Sequence, residues 1–575
     1  MFVKTDPQRS LLECEFLVPP EKRARLEKSW AEPFRQRVLP LVDEEVFRDA
    51  YCENNGRPNK SIRLLVCVHI LKEWNDLTDE QVLENLEFNL QWHYALGITS
   101  EDAHLCQKTL HNFRVILMGN ARAKRAFEQI TRELAQADGL KLGRQRLDST
   151  HVLSNIAVLT RLGLFVETVT HFLRELRKEG ADAFESLAAG YARRYLEREG
   201  YFSDAKRAQA RRRLAVVAGD VYALVSTFET DAAVRELPSF EVLVRLFEEQ
   251  CEVVTGADGD DDNSGGGAGD GDPRVKVIEP KTVASDSLQS PHDPDATYGH
   301  KGKGFEVQVS ETCDDDNPYQ IITGTEVNGA HESDQNAVEP MLDQLEESGM
   351  LPEVELADTG YGSGSNIVES AQRGVDLHAP VPDPDAPAST EHFTAPVDAD
   401  FSPAAGAESA PGGTAEPAAV SDAPVDLSEF AFDATYHEVR QCPEGHAPEH
   451  QHMAGNQVIA TFSAEHCGSC PLASRCPTRV LSSGARQLRR APANIATEVR
   501  QAEQQSPDFK ERYRMRSGIE ATNQELKGRH GLGNLRIRGK PRVELAVRLK
   551  SLALNVKRAM QFHVSDMADY APCGC

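Results

Sequence analysis

No stretch of this sequence reaches about 18 apolar residues without a charge, so no membrane-spanning helix is expected. The first residues, MFVKTDPQRSLLECEF, lack the apolar core of a secretion signal, which points to an intracellular protein. Cysteine is thin, 12 residues in 575, and does not suggest a secreted disulfide scaffold. In a reducing compartment most of these thiols are small core residues unless some cluster as metal ligands. Positive charge is also short: 63 Lys and Arg face 90 Asp and Glu, a formal net charge of −27. Apolar content is not lacking. At 40% hydrophobic residues the chain can build sizeable cores, which excludes global disorder. At about 100–200 residues per domain, it is long enough for three or four folding units.

The scarce basic charge is concentrated. Residues 510–558 hold 14 Lys and Arg against four acids, and residues 107–146 hold nine against three. Screening limits each field to about 8–10 Å, so an acidic chain with two basic islands still attracts a polyanion locally.

Residues 1–140 read as helical. Apolar positions recur through Ile62, Leu65, Val66, Ile70 and Leu71, then through Val82, Leu83, Leu86 and Leu90. Thr78 and Gln81 have the spacing of a capping box. A third short helix, 108–117, carries Lys108, His111, Asn112 and Arg114. Three such helices suit DNA docking and suit plain packing about equally. RQRLDSTHVL then fits a strand, and 155–254 returns to a charged helical pattern. GFEVQVSETC and QIITGTEVNG form a hairpin signal. A helix over 334–347, the strand EVELADTGYG, a helix from Ser365 and the strand DLHAPV follow. Gly256–Asp272 and the Ala/Pro/Asp-rich stretch 380–426 read as disordered linkers. Long helices over 493–528 and 541–563 close the chain. Without its insertions the order predicts a mixed α/β sheet that begins with a meander.

Three carboxylates stand out. Asp148 lies mid-strand in RLDSTH, Asp358 ends a strand before a glycine-rich turn, and Glu520 lies in a helix with Tyr513, Arg516 and Lys527. A carboxylate within an apolar strand is costly unless it is paired or metal-bound. Each aspartate alone is well explained as a turn cap or an arginine partner. Together on one sheet, two or three oxygen ligands suit the open coordination of Mg²⁺. A pair of such ions about 3.5–4 Å apart supports in-line phosphoryl transfer.

The order Tyr513, two residues, Arg516, three residues, Glu520, six residues, Lys527 resembles the Y-R-E-K signature of DDE transposases from prokaryotic insertion sequences. On one continuous helix these four would share a face. The resemblance extends to GRP at 56–58, to ATYGHKGKGFEVQV and to LGNLRIRGKPRVELAVRLKSLALNVKRAM. It implies a ribonuclease H-like catalytic core in which Asp148, Asp358 and Glu520 hold Mg²⁺ or Mn²⁺. It also implies that Tyr513, Arg516 and Lys527 position double-stranded DNA at the transposon end. Synapsis of two ends implies a homodimer or larger, acting in the cytoplasm at the nucleoid.

The units expected on this reading are a helical N-terminal domain (1–140), a first catalytic strand (141–154) and a helical insertion (155–255). An acidic linker (256–273), the continued core (274–380), a second linker (381–428) and a cysteine module (429–482) follow, then the helices bearing Glu520 (483–564) and a tail (565–575).

Cys442, Cys467, Cys470 and Cys476, with a C-x₂-C pair at their centre, can supply tetrahedral Cys₄ coordination of structural Zn²⁺ in a small zinc-ribbon-like insertion. Four reduced thiols are the alternative. His446 or His466 could replace one ligand, and Cys573 and Cys575 read as incidental. Arg529, Arg536, Arg538, Lys540 and Arg542 are expected to face phosphates. Lys301 and Lys303, in the glycine-rich HKGKG, could approach one closely. Two other functions compete with transposition: a catalytically idle DNA-binding regulator, and a metal-dependent nuclease that cuts without joining.

Overall fold

The computed structural model describes residues 1–5, 13–157, 159–197, 207–254, 274–382 and 424–569. The expected linkers, 256–273 and most of 381–428, and the tail from 570 onward lie outside the described residues. Residues 424–428 are described: Asp426 and Glu429 form a capping box, and Leu427 is buried. No helix among the described residues is long and apolar enough to cross a membrane.

The N-terminal region is helical, as its periodicity predicts. Helix α1 (Ile62–Trp74) starts at Ser61, whose side chain accepts from Leu64 N, and buries most of its length. Helix α2 (Asp79–Phe88) opens on the Thr78/Gln81 capping box. Helices α3 (Gln107–Met118) and α4 (Arg122–Ala137) complete the packing unit.

The chain then enters strand β1 (Arg144–Val152). Helices α5 (Arg161–Glu179), α6 (Arg207–Phe228) and α7 (Pro238–Gln250) form an insertion around a separate core that includes Phe165, Phe172, Leu243 and Leu246. Strand β2 (Thr297–Gly299) leads into β3 (Gly302–Thr312) and β4 (Ile322–Gly329). Helix α8 (Val338–Glu347), strand β5 (Val354–Leu356), helix α9 (Gly364–Gln372) and strand β6 (Asp376–His378) follow.

The sheet order is β4-β3-β1-β5-β6, with β2 paired to the start of β3. β1 runs antiparallel to β3 and parallel to β5, and β5 runs parallel to β6. Alternation along β1 sends Asp148 and Leu147 to opposite faces. On the face of Phe305, Val307 and Val309, the sheet shares one hydrophobic core with α1, α4 and the last helix of the chain. On the other face Leu147 packs with Val338, Met341 and Ile367.

After β6 comes the cysteine module. Its four-stranded antiparallel sheet contains β7 (His450–Met453), β8 (Val458–Phe462), β9 (Arg479–Val480) and β10 (Arg486–Arg490), in the order β7-β8-β10-β9. The closing helices depart from expectation. In place of one helix over 493–528 there are α10 (Pro492–Glu503), α11 (Pro507–Tyr513), a 3-10 turn (Arg514–Gly518) and α12 (Ile519–Gly528). The break has a local cause: Ser506 caps Phe509 N and Pro507 sits in the first turn, a start signal that also prevents continuation. The final helix, α13 (Lys540–Asp569), runs past the expected end at 563.

Candidate active site

Asp148 is placed by the middle of β1 and Asp358 by the turn two residues beyond β5. These strands are parallel neighbours, so residues more than two hundred positions apart meet at one end of the sheet. Helix α12 packs on β1 and brings Asn523, whose amide donates to Asp148 Oδ2 at 3.0 Å. Beside it, Thr522 donates to Glu311 Oε1 at 2.6 Å. Glu311 is fully buried and is held by Arg146 and Arg558, both at 2.6 Å, so one carboxylate ties β1, β3, α12 and α13 together. Gly518 lies against that network: a Cβ there would fall 2.0 Å from Arg146 Nη1.

The guanidinium of Arg516 sits among the three carboxylates. Its Nη2 donates to Asp148 Oδ1 at 2.7 Å and to Asp358 Oδ2 at 3.2 Å, and Nη1 lies 3.9 Å from Glu520 Oε1. The Asp148 side chain is 13% exposed, Asp358 36% and Glu520 64%. Burial, reinforced by the charge of Asp358, raises the Asp148 carboxyl above the usual range even with Arg516 opposing it. Burial works against the charge of Arg516, but Asp148 and Asp358 more than offset it and its pKa rises. Tyr513 is half-buried nearby, and burial raises its phenol as well.

The four signature residues therefore do not form a single helical stripe. Tyr513 ends α11, Arg516 lies in the 3-10 turn, and Glu520 and Lys527 lie at opposite ends of α12. The tighter turn swings Arg516 back onto the aspartates. Lys527 feels Glu306, Lys301 and Asp148, while burial lowers its pKa.

A second set of side chains backs Asp358, and it was not read from the sequence. Asp334 accepts from Gln308 Nε2 at 2.8 Å and from Ser149 Oγ at 3.3 Å, and the Tyr361 hydroxyl donates to Gln308 Oε1. Asn523 had a usable signal, since it lies three residues beyond Glu520 and so on the same helical face. Asp334 had none, because it lies in the 3-10 turn after β4 and meets Ser149 and Gln308 only once β4, β3 and β1 are paired. The glycines of ADTGYGSG are explained by close packing: a Cβ at Gly362 would lie 1.8 Å from the Pro380 carbonyl oxygen.

Among the basic residues, the structure separates Lys301 from Lys303. Lys303 is half-buried and donates to Leu159 O at 2.8 Å, whereas Lys301 is exposed, donates to Ser149 Oγ at 3.1 Å and pairs with Glu306 at 3.1 Å. Residues 533–537 run beside 153–155 through backbone hydrogen bonds, which sets the basic loop at the end of β1 beyond Asp148. There Arg538 donates to Asn155 O, and Arg536 is exposed with Asp76 at 3.6 Å. Arg529 projects outward beside Glu525.

Cys442, Cys467, Cys470 and Cys476 line one cavity with His446 and His466, whose rings stack at 4.1 Å. Burial raises the Cys467 thiol, and its three cysteine neighbours raise it further. Four soft donors facing one space fit a tetrahedral zinc site. The carboxylates fit a hard cation by a different observation, since two of them already share one cationic nitrogen. As these side chains stand, no three His, Cys, Asp or Glu groups among the described residues close on one point.

Comparison with known proteins adds family information. A model described as "Transposase DDE domain" matches residues 441–560, and one described as "Transposase domain (DUF772)" matches residues 22–115. The uncharacterised protein ORF8 in the nfe locus of Rhizobium meliloti is 28% identical over 150 residues, covering 24% of this chain and 72% of that protein. No solved structure matches.

Proposed function

The chain belongs to the insertion-sequence DDE transposases, whose models match regions towards both of its ends, and from that premise we propose that Asp148, Asp358 and Glu520 carry DNA cleavage at the element's ends and joining to target DNA. The observation that carries this reading is the meeting of Asp148 and Asp358 on adjacent parallel strands, with Glu520 on the helix beside them. The strand order β4-β3-β1-β5-β6, antiparallel in its first half and parallel in its second, supports a ribonuclease H-like core.

In the first step water attacks the phosphodiester at the element's end. A P–O bond forms to water as the P–O3′ bond breaks, and the proton count closes with a free 3′-OH and a 5′-phosphate. In the second step that 3′ oxygen attacks a target phosphodiester and displaces another 3′ oxygen in line. Mg²⁺ or Mn²⁺ at the three carboxylates would activate the attacking oxygen and stabilise the leaving one. Asn523 orients Asp148 by holding Oδ2, which leaves Oδ1 directed into the site. Arg516 neutralises the aspartates in the free protein, and its guanidinium can turn to a phosphate oxygen when DNA supplies one. Lys527, Tyr513, Arg536 and Arg538 lie where they can hold the flanking backbone, with Lys301 better exposed for this than Lys303. Cys442, Cys467, Cys470 and Cys476 hold a structural zinc, and synapsis of two ends calls for at least a dimer.

The test is cleavage and joining of labelled DNA bearing the element's own ends, with Mg²⁺ or Mn²⁺, comparing wild type with Asp358→Asn. Loss of both reactions with DNA binding retained is the expected result. Binding without any wild-type chemistry would turn the reading to an idle DNA-binding protein, and cleavage without joining would turn it to a nuclease.

A further inference from the structure

The module sheet has one face buried and one turned outward. Val458, Ala460, Phe462 and Leu488 point into the module core. The alternate residues form two cross-strand rows on the other side. One row is His450, Thr461, Gln487 and Arg479, and the other is His452, Ile459 and Arg489. None of these seven residues is acidic, in a chain whose acids outnumber its bases by 27. His450, His452, Arg479 and Arg489 are all exposed. Among the described residues the Arg479 side chain has no hydrogen-bond or ion-pair partner, and the Arg489 guanidinium donates only to Gln457.

We propose that this face is a docking surface for the phosphate backbone of duplex DNA. The proposal rests on the reading that the protein acts on DNA, and it gives the cysteine module a part in holding the substrate. Charge complementarity selects the partner. A flat face with cations and hydrogen-bond donors at its margins matches a regular row of phosphates. It offers no exposed aromatic or aliphatic anchor of the kind that dominates protein interfaces, because Ile459 is only 9% exposed. Three inter-strand spacings, about 14 Å, separate the His450 and Arg479 strands, a width along which a duplex presents several phosphates.

The mounting of the module selects which duplex. Helix α10 packs on α9, the helix that follows the Asp358 turn, so closely that a Cβ on Gly364 would lie 1.9 Å from the Ala493 carbonyl oxygen. The face is thereby held in a fixed relation to Asp358, and its occupant is the element-end duplex flanking the cut. Contacts of this kind are independent of base sequence, so they set affinity and register without reading the end.

The experiment measures binding of the full-length protein to an element-end duplex across a salt series without divalent metal. It compares wild type with Arg479→Gln/Arg489→Gln and with Arg479→Glu/Arg489→Glu. Expected are an affinity loss of roughly tenfold or more and a log-affinity against log-salt slope shallower by about 1.8 for the glutamine pair, since each lost phosphate contact removes about 0.9. Hydroxyl-radical footprints should lose protection on one side of the cut. Unchanged affinity and slope in the glutamine pair would overturn the proposal, as would normal end binding with loss only of target capture. Should the charge reversal unfold the module, the glutamine pair and the wild-type footprint still decide. No wild-type binding at any salt would sink the DNA reading itself, whereas wild-type binding left unchanged in the glutamine pair sinks this surface alone.

Discussion

The carboxylate cluster and the cysteine pocket both present donors to a cation, but their surroundings differ. Asp148 lies on a sheet whose core also takes in α1, α4 and α13, and its position is reinforced through Asn523, Thr522 and the buried Glu311. It has an internal cation as well, in Arg516. The cysteines sit in a module whose core consists of a few residues around Val439, Phe462 and Leu488, and Arg486, which lines their cavity, donates to Thr478 rather than to a thiol. A large core can hold hard donors in place before any ion arrives. A small one relies on the ion as part of its fold.

Four measurements break or sharpen that contrast. The largest expected effect is on the module: a strong chelator, or Cys467→Ser, should unfold residues around 440–480 while the sheet keeps its structure. Hydrogen exchange resolved by segment reads this, and equal protection with and without zinc would abolish the contrast. Next is Arg516→Ala, which leaves Asp148 and Asp358 facing each other unpaired and should cost about 3 kcal/mol. Added Mg²⁺ should then raise the melting temperature more in the variant than in wild type; an equal rise would mean that arginine and metal occupy different places.

The third concerns the opposite face of the same sheet. Burial pushes Glu355 from its ordinary 4.5 up to about 8, with Ser310 donating to it at 3.0 Å. The folded state holds the proton that the unfolded chain releases, so this contribution to stability is full below pH 4.5 and is lost as pH rises towards 8. Glu355→Gln should flatten that decline in a pH series of thermal unfolding, and an unaltered decline would assign it to other groups. The smallest effect is expected for Thr78→Ala, about 1 kcal/mol from the lost cap of α2, measured by denaturant unfolding. A drop confined to the N-terminal helices, with the sheet intact, would show that the shared core does not act as one unit.

Much of this architecture was legible in the sequence because it depends on local pattern. The Thr78/Gln81 spacing predicts the start of α2, and the β-branched runs predict the hairpin of β3 and β4. Asp148, Asp358 and Glu520 stand out by residue type and flanks, and the structure gathers them around the Arg516 guanidinium. The broken helix was less accessible: periodicity runs through 493–528, and the interruption rests on Ser506 and Pro507 outweighing it. Lys301 and Lys303 look interchangeable in HKGKG, yet Lys301 lies in the turn between β2 and β3 and Lys303 inside β3, and only the packed structure distinguishes them.

By itself the sequence determined which residues could do chemistry, where helices and strands begin, and that four thiols lie close enough in the chain for one site. Tertiary structure alone decided that Arg516 turns inward onto Asp148 and Asp358, that Asp334 and Asn523 join them, and that one face of the module sheet carries cations without acids. Those facts depend on strand pairing and helix docking between residues far apart in the chain, and such contacts leave no periodic trace in the residues that make them.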